Sequence, residues 1–105
     1  MANTFKSYLA SGVTTETSVL TVAPATQTTL IGLSLANTTL GAVSVSVTLT
    51  RNSTVVYVIK DSTVPSADAL VLYGGDQKLV MQASDILKVT STGSVDVIVS
   101  VLEVN

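Results

Sequence analysis

The segment TTLIGLSLANTTLGAVSVSVTLTR, at residues 28–51, decides the fold class of this chain. Apolar side chains stand at every second position on both sides of a polar turn, at Ile31, Leu33, Leu35, Val43, Val45, Val47 and Leu49. A period of two puts one face of a strand on a core and leaves the other face to solvent. The segment therefore predicts two antiparallel strands joined by a short loop, and no helical period competes with this pattern.

Short strand patterns separated by turn residues follow along the rest of the chain. Further strands are predicted at residues 18–23, 54–60, 69–73, 78–82, 86–91 and 95–104. Pro24 ends the first of these or places it at an edge, because proline cannot donate to a ladder. Gly32 marks either a bulge or a close approach of the backbone. Turns are predicted at residues 52–53, 61–68, 74–76, 83–85 and 92–94. About eight strands without a helix predict an all-β fold, a single antiparallel β-sandwich of jelly-roll or Greek-key type.

Length and composition limit the function classes. The chain has 105 residues, which corresponds to one domain, with residues 13–105 as the predicted sandwich. It contains no cysteine and no histidine, so a disulfide framework and the common zinc, copper and haem ligand sets are excluded, and no cofactor is expected. The net charge is −2 and the five basic residues are scattered, so no nucleic-acid partner is expected.

Charged residues are unusually rare in this chain. They make up 11% of it, against roughly a quarter in ordinary domains, while 47% is hydrophobic. Such a sheet protein lacks the edge charges that block strand addition, which predicts an assembly component covered by copies of itself or by another protein. The nearly continuous apolar strand at 54–60 predicts burial on both faces or an interface on one of them. The predicted oligomer interface comprises Val56, Val58, Val97 and Val99.

The first segment, residues 1–12, is predicted to be either an edge strand of the sandwich or an extended arm that docks on a neighbouring subunit. Phe5, Tyr8 and Leu9 are its predicted partner contacts, because an unpacked aromatic terminus would expose apolar area. In the arm interpretation, deleting the segment leaves a folded domain that no longer binds its partner. The segment lacks an apolar core long enough for a secretory signal, and no run of about 20 apolar residues follows. We therefore expect a protein made in a cytosol and outside membranes.

The ionisable residues do not predict an active site. Acid and base chemistry would depend on seven carboxylates, several of them in or beside predicted turns, where aspartate caps the backbone. We interpret them as solvated turn residues, predict no catalytic residue, and expect a protein that is not an enzyme. No metal site is predicted, although a calcium cluster at Asp61, Asp68 and Asp76 stays open as an alternative. Two glycosylation sequons, at Asn37 and Asn52, are interpreted as turns.

Several motifs follow one another from end to end. KSYLASGV precedes a threonine-rich strand ending at Pro24, then come IGLSLANTT with a valine/serine strand, VPSADALVLYGGDQKLVMQASDILKVTS, and finally SVDVIVSVLEV. This succession resembles the small β-sandwich virion proteins of tailed bacteriophages, and the resemblance covers almost the whole chain. It implies a non-enzymatic structural role as a repeated, often trimeric, accessory on the head, neck or tail of the particle. It carries over no functional residue, because the matching positions are architectural.

The residues and the resemblance together predict a phage virion structural protein, assembled in the host cytoplasm and most specifically a capsid decoration or cement protein. We expect a homo-oligomer, with a trimer favoured by the resemblance, that binds other virion proteins such as the major capsid protein. A tail, neck or fibre-attachment component is one alternative. Another is a lectin-like module that binds the host surface through the turns at residues 61–68 and 74–78. The enzyme alternative, a cell-wall hydrolase using two aspartates, is opposed by the absent histidine and cysteine.

Overall fold

The computed structural model describes residues 3–73 and 79–104, apart from the side chains of residues 72 and 73. Within these ranges the chain forms nine strands and no helix. They are β1 (Asn3–Val13), β2 (Thr17–Thr21), β3 (Gln27–Asn37), β4 (Val43–Arg51), β5 (Thr54–Val64), β6 (Ala69–Tyr73), β7 (Leu79–Met81), β8 (Ile86–Ser91) and β9 (Val95–Val104). The predicted all-β fold is confirmed, with one strand more than the sequence indicates. The described residues contain no helix of the length and hydropathy needed to cross a membrane.

Two antiparallel sheets face each other. One has the order β1-β9-β3-β6, with β7 also paired to β3, and the other has the order β2-β8-β4-β5. Successive strands from β1 to β4 alternate between the sheets, and so do β7, β8 and β9, so that the chain wraps around the core as a paired ribbon. This order is that of a jelly-roll sandwich, one of the two topologies predicted.

The strands of the 28–51 segment do not form the predicted hairpin, because β3 and β4 lie in opposite sheets. Strict alternation fixes which face of a strand is buried, but it does not fix which strand becomes the hydrogen-bonded neighbour. Both strands bury their apolar side chains in the same core from opposite sides. Asn37, buried at the end of β3, fastens the connection: its Nδ2 donates to the carbonyl of Gly41 at 2.8 Å and to those of Val64 and Pro65 at 3.0 and 3.1 Å.

The hairpin occurs one strand later. Arg51 and Thr54 pair across the turn at residues 52–53, which confirms the turn predicted there. Asn52 adopts a φ of 56°, a left-handed conformation that asparagine tolerates better than most residues. β4 and β5 are thus neighbours in one sheet.

β5 is the edge strand of its sheet and is longer than predicted. It continues to Val64, so the turn predicted at 61–68 is confined to the residues after this strand. Burial of this strand on both faces is a wrong prediction, because Val55, Val56 and Tyr57 are exposed. A pattern of continuous apolar residues does not distinguish a doubly covered strand from an edge strand with exposed apolar side chains.

The strands predicted at 69–73 and 78–82 are present as β6 and β7, but they lie end to end. Both run antiparallel to β3, with β6 beside residues 33–36 and β7 beside residues 28–30. The turn predicted at 74–76 lies outside the described residues. β3 therefore has two short strands along one of its edges and β9 along the other.

A bulge divides β3 and corrects the expected facing of its first half. Leu30 and Leu33 are both buried, while Ile31 between them is half-buried, and the register with β9 shifts between Leu30 and Gly32. The bulge predicted at Gly32 is confirmed. Its consequence is that Leu30, not Ile31, continues the row of core residues before the bulge.

The core between the sheets is filled by aliphatic side chains of both. Val95, Val97, Val99 and Val101 of β9 all point into it, as their shared parity predicts. β9 lies between β1 and β3, so its valines occupy the middle of one sheet.

Candidate interaction surface

The outer face of the β1-β9-β3-β6 sheet is apolar, which is unusual for the solvent side of a sandwich. In one row across the strands, Leu9 of β1 pairs with Ile98 of β9, which pairs with Ser34 of β3, which pairs with Val71 of β6. In a second row, Phe5 pairs with Leu102, Leu102 with Thr29 of β3, and Thr29 with Val80 of β7. Small residues, Ser7, Ser100 and Gly32, lie between the two rows. We call this surface the apolar face.

The apolar face is open to solvent in the isolated chain. The exposed fractions are 75% for Phe5, 77% for Leu9, 50% for Ile98, 66% for Val71 and 59% for Val80. With roughly 150–200 Å² for a large side chain, these fractions leave on the order of 600 Å² of apolar surface. That is the upper end of what monomeric proteins expose in one patch, and it approaches the roughly 800 Å² that each partner contributes to a standard interface.

Charge is nearly absent from the apolar face. Alternation along the described strands points one charged residue, Asp96, to this side, and it lies at one end beside Ala36. Asp96 Oδ1 accepts a hydrogen bond from the Gly12 N–H at 2.9 Å, which occupies it within the chain. A partner would therefore cover this surface without desolvating an unpaired charge.

The outer face of the second sheet follows the ordinary pattern of a solvated sheet. β4 presents Ser44, Ser46, Thr48 and Thr50 there, all partly exposed. An ion pair between Lys88 Nζ and Glu16 Oε1, 3.5 Å apart, adds charge. The β5 edge interrupts this polar surface, with Val55 and Tyr57 exposed, and Ile86 of β8 is partly exposed on the same side. The two sides of the molecule therefore differ in chemistry, and the apolar one is the better candidate for a protein contact.

Two of the three predicted contact residues lie on the apolar face. Phe5 and Leu9 project from β1, whereas Tyr8 has the opposite parity and packs against the core. The Tyr8 hydroxyl donates to Glu103 Oε2, and Lys6 Nζ lies 3.3 Å from Glu103 Oε1. Hydrogen bonding to Glu103, and secondarily burial, raise the pKa of Tyr8 to about 12. Tyr8 is thus an internal residue, and the first segment is a full strand of the sheet.

The four valines predicted at an oligomer interface occupy different environments. Val97 and Val99 are buried in the core, where another subunit cannot reach them, which corrects that part of the prediction. The terminal strand is central rather than peripheral, so its regular alternation reflects the core. Val58 packs against the core from β5, and Val56, 56% exposed, is the accessible member of the set.

Val56 lines a shallow cavity beside a partly buried ion pair. The cavity measures about 260 Å³ and is bordered by Leu49, Arg51, Asn52 and Thr54, all from the β4–β5 hairpin. It is smaller than the roughly 300–1,000 Å³ of typical small-molecule sites. Its dimensions favour a surface irregularity of the hairpin over a ligand pocket.

The ion pair joins Arg51 to Asp85, which the sequence places among solvated turn residues. Asp85 is instead fully buried: its oxygens accept from Arg51 Nε at 2.9 Å, Arg51 Nη2 at 2.6 Å and the Gln82 N–H at 2.9 Å. The guanidinium and the Gln82 N–H hold the pKa of Asp85 below its usual value against the effect of burial. These hydrogen bonds use the carboxylate to stabilise the turn before β8. The carboxylate therefore has a structural role and not one in proton transfer.

The other carboxylates do not assemble into a site. No three potential metal ligands come together within the described ranges, and the proposed calcium ligand Asp76 lies outside them. Asp61 belongs to β5, whereas Asp68 follows it in the turn before β6. In the sequon at Asn37, the amide nitrogen to which a glycan would be attached donates to the carbonyls of Val64 and Pro65.

Sequence reasoning found Phe5 and Leu9 as contact residues but missed the rest of the apolar face, because its members come from five strands. Single apolar residues at Val71, Val80 and Ile98 look unremarkable along the chain, and only the pairing of the strands brings them to one surface. The low overall charge and the apolar residues of the first segment were the signals that pointed to it. Compared with models of protein families and with curated proteins, the chain matches none.

Proposed function

We propose that this chain is a non-enzymatic structural protein of a tailed-phage particle, most specifically a decoration protein that binds the capsid lattice through its apolar face. The observation that carries the proposal is the extent of that face, on the order of 600 Å² of apolar surface. Exposed apolar patches of this size mark surfaces that other proteins cover.

The chemistry of the apolar face supports a protein partner. Leu9, Ile98 and Val71 form a row of aliphatic side chains with one serine in it, and no charged group lies between this row and that of Phe5. Such a surface binds by burial of area and by shape, without the cationic groups that nucleic acid requires or the aromatic platforms that sugars favour.

The resemblance to small virion proteins indicates that the partner is a phage particle. A rigid jelly roll suits a structural role on such a particle. A single contact of this size gives modest affinity, but a shell offers the same site many times, so that linked copies gain avidity. The conclusion joins the resemblance of the motifs with the surface seen in the structure.

The test is co-sedimentation with particles of the encoding phage from which this gene has been deleted. Leu9→Lys and Ile98→Lys each place a charge in the middle of the apolar face and should abolish retention on the particles. Thr90→Lys is the matched control, because Thr90 is an exposed residue of a central strand on the opposite sheet. Retention of both face variants at the level of the wild type would refute the proposal.

The number of copies per particle separates the shell from the neck and tail. Quantitative mass spectrometry of purified virions, with the major capsid protein as the internal standard, should give a ratio typical of a lattice-wide component. A handful of copies per particle would assign the chain to the neck, tail or fibre attachment, the alternatives within the same structural class.

A further inference from the structure

We infer that a second copy of this chain pairs antiparallel with the free edge of β1, with Ser7 opposite Ser7 of the other copy. The pairing joins the two β1-containing sheets into one continuous sheet. It deepens the proposed assembly role and rests on that role for its biological purpose. The argument depends on the edges of the sandwich and on the side-chain pattern of β1.

β1 is the least protected long edge among the described strands. It pairs with β9 on one side and runs from Asn3 to Ala10 without a register shift. At the other edges, β2 and β6 are short strands of five residues, each with a register shift, and β5 carries two shifts and the charged pair Lys60 and Asp61. Long, regular and weakly charged edges are those that add another strand.

The side chains of β1 are arranged symmetrically about Ser7. Phe5 and Leu9 project to the apolar face two residues before and two residues after it. A twofold axis at Ser7 places Phe5 of each copy opposite Leu9 of the other, which gives two apolar cross-strand pairs. If the register shifted by one residue, Phe5 and Leu9 of one copy would lie opposite residues from the other face of β1. Both apolar pairs would then be lost.

The opposite side of β1 supports the same register. With Ser7 on the axis, Lys6 of one copy lies opposite Tyr8 of the other, so that no like charges face each other. A register centred on Lys6 would instead place the two ammonium groups directly opposite each other. Lys6 is already drawn toward Glu103 of its own chain, at 3.3 Å, which lowers the charge presented at the edge.

Pairing through β1 would set the two apolar faces side by side on the same side of the joined sheet. Their combined apolar surface is then about 1,200 Å² less the area that Phe5 and Leu9 bury against each other, which still exceeds the roughly 800 Å² that one partner contributes to a standard interface. The dimer therefore presents to a particle a surface large enough for stable binding, whereas one copy falls short of it.

Cross-linking tests the register directly, because the chain contains no cysteine. In the inferred pair, the two Ser7 Cα atoms lie about 4.5–5.5 Å apart, within the range that a disulfide spans. Ser7→Cys should thus form a disulfide-linked dimer under mild oxidation. Ser11→Cys, exposed on the same strand, is the control and should stay monomeric on a non-reducing gel. Equal cross-linking of both variants would overturn the register.

Sedimentation measures the association without a cross-link. The wild type should have twice the mass of one chain. The Phe5→Lys/Leu9→Lys variant should have the mass of a monomer, because the lysines of the two copies lie opposite each other and repel. Phe5→Lys/Leu9→Glu removes the same apolar groups but places opposite charges across the axis, so it should keep the dimer. A wild type that is a monomer or a trimer, or two double variants of equal mass, would overturn the inference.

The two proposals fail separately in these experiments. A monomeric protein that still co-sediments with particles would refute the β1 pairing and leave the assembly function intact. A dimer with the Ser7 cross-link that ignores particles would support the pairing and refute the decoration role.

Discussion

Asp85 shows how a residue type common in turns can become part of the interior. Its carboxylate is buried, and Arg51 compensates its charge from the end of β4 while keeping 45% of its own side chain exposed. The sequence indicates the turn at residues 83–85, but not the partner, because Arg51 lies 34 residues away along the chain. Only the pairing of β4 with β8 brings the two together.

Removal of the Asp85 carboxylate should destabilise the domain. We expect Asp85→Ala to lower the free energy of unfolding by about 2 kcal/mol, because the Gln82 N–H and the guanidinium lose a charged acceptor. Urea unfolding followed by circular dichroism measures this. Glu16→Gln, which breaks the exposed pair with Lys88, should change stability by less than about 1 kcal/mol. Equal effects of the two variants would contradict the structural role of Asp85.

The same carboxylate should make the domain sensitive to acid. Its pKa is lowered in the folded state, so the stabilisation is complete above the pKa of an unfolded aspartate, about 3.9, and is lost as the pH falls through the folded value. The stability of the wild type should therefore drop below about pH 4, and that of Asp85→Asn should depend less on pH over this range. Parallel pH profiles of the two proteins would show that another group is responsible.

Tyr8 should be recognisable by its late ionisation. Its pKa of about 12 means that it stays neutral when an unfolded tyrosine, with a pKa of about 10, loses its proton. The associated stabilisation is complete below about pH 10 and is lost as the pH rises through about 12. Spectrophotometric titration should show a tyrosine that ionises near pH 12, and Tyr8→Phe should remove this step. A Tyr8→Phe protein that keeps the late ionisation would assign the raised pKa to another residue.

At the scale of elements, the connection from β3 to β4 depends on one amide. Asn37 Nδ2 shares its two N–H donors among three carbonyl oxygens, and its Oδ1 accepts from the Thr39 N–H at 2.9 Å and from the Thr39 hydroxyl at 2.7 Å. The strand patterns on either side are legible in the sequence, whereas the crossing between sheets is not. The alternation of apolar and polar residues predicts which face of a strand is buried, but it does not predict which strand lies beside it.

Replacing this amide should loosen the connection. Asn37→Asp puts a carboxylate against the carbonyls of Gly41, Val64 and Pro65 in place of a donor, and we expect a loss of about 3 kcal/mol of unfolding free energy. Asn52→Asp is the control, because Asn52 is exposed in the β4–β5 turn, and it should change stability little. Thermal unfolding of both variants is the measurement. An Asn37→Asp protein as stable as the control would show that the hydrogen bonds are replaced by water.

At the scale of the whole molecule, β1 is an edge strand that is an integral part of the sandwich. It pairs with β9 from Asn3 to Val13, and β9 is the strand whose valines point into the core. A chain that begins at residue 13 would expose the edge of β9, so we expect it to aggregate or to lose its cooperative unfolding transition. The full-length variant Phe5→Ser/Leu9→Ser is the control and should unfold cooperatively. A truncated protein with a normal transition would restore the interpretation of an independent arm.

The sandwich itself was largely predictable, since most of the predicted strands coincide with observed ones and β8 and β9 match residue for residue. Each strand carries its own period of two, which is a local property. The apolar face is a sum over strands that only tertiary pairing assembles. For the same reason, the buried role of Val97 and Val99 and the internal position of Tyr8 depend on which strands become central.

Asn3 and Val104 are directly paired in the β1–β9 ladder, so the two described ends of the chain lie about 5 Å apart. A tight turn would be enough to join them, and new ends could then be opened at the exposed β4–β5 turn to give a circular permutant. A peptide fused at either Asn3 or Val104 would emerge at the same end of the sandwich. This geometry makes the domain suitable for presenting paired inserts, one on each end, at a fixed and short separation.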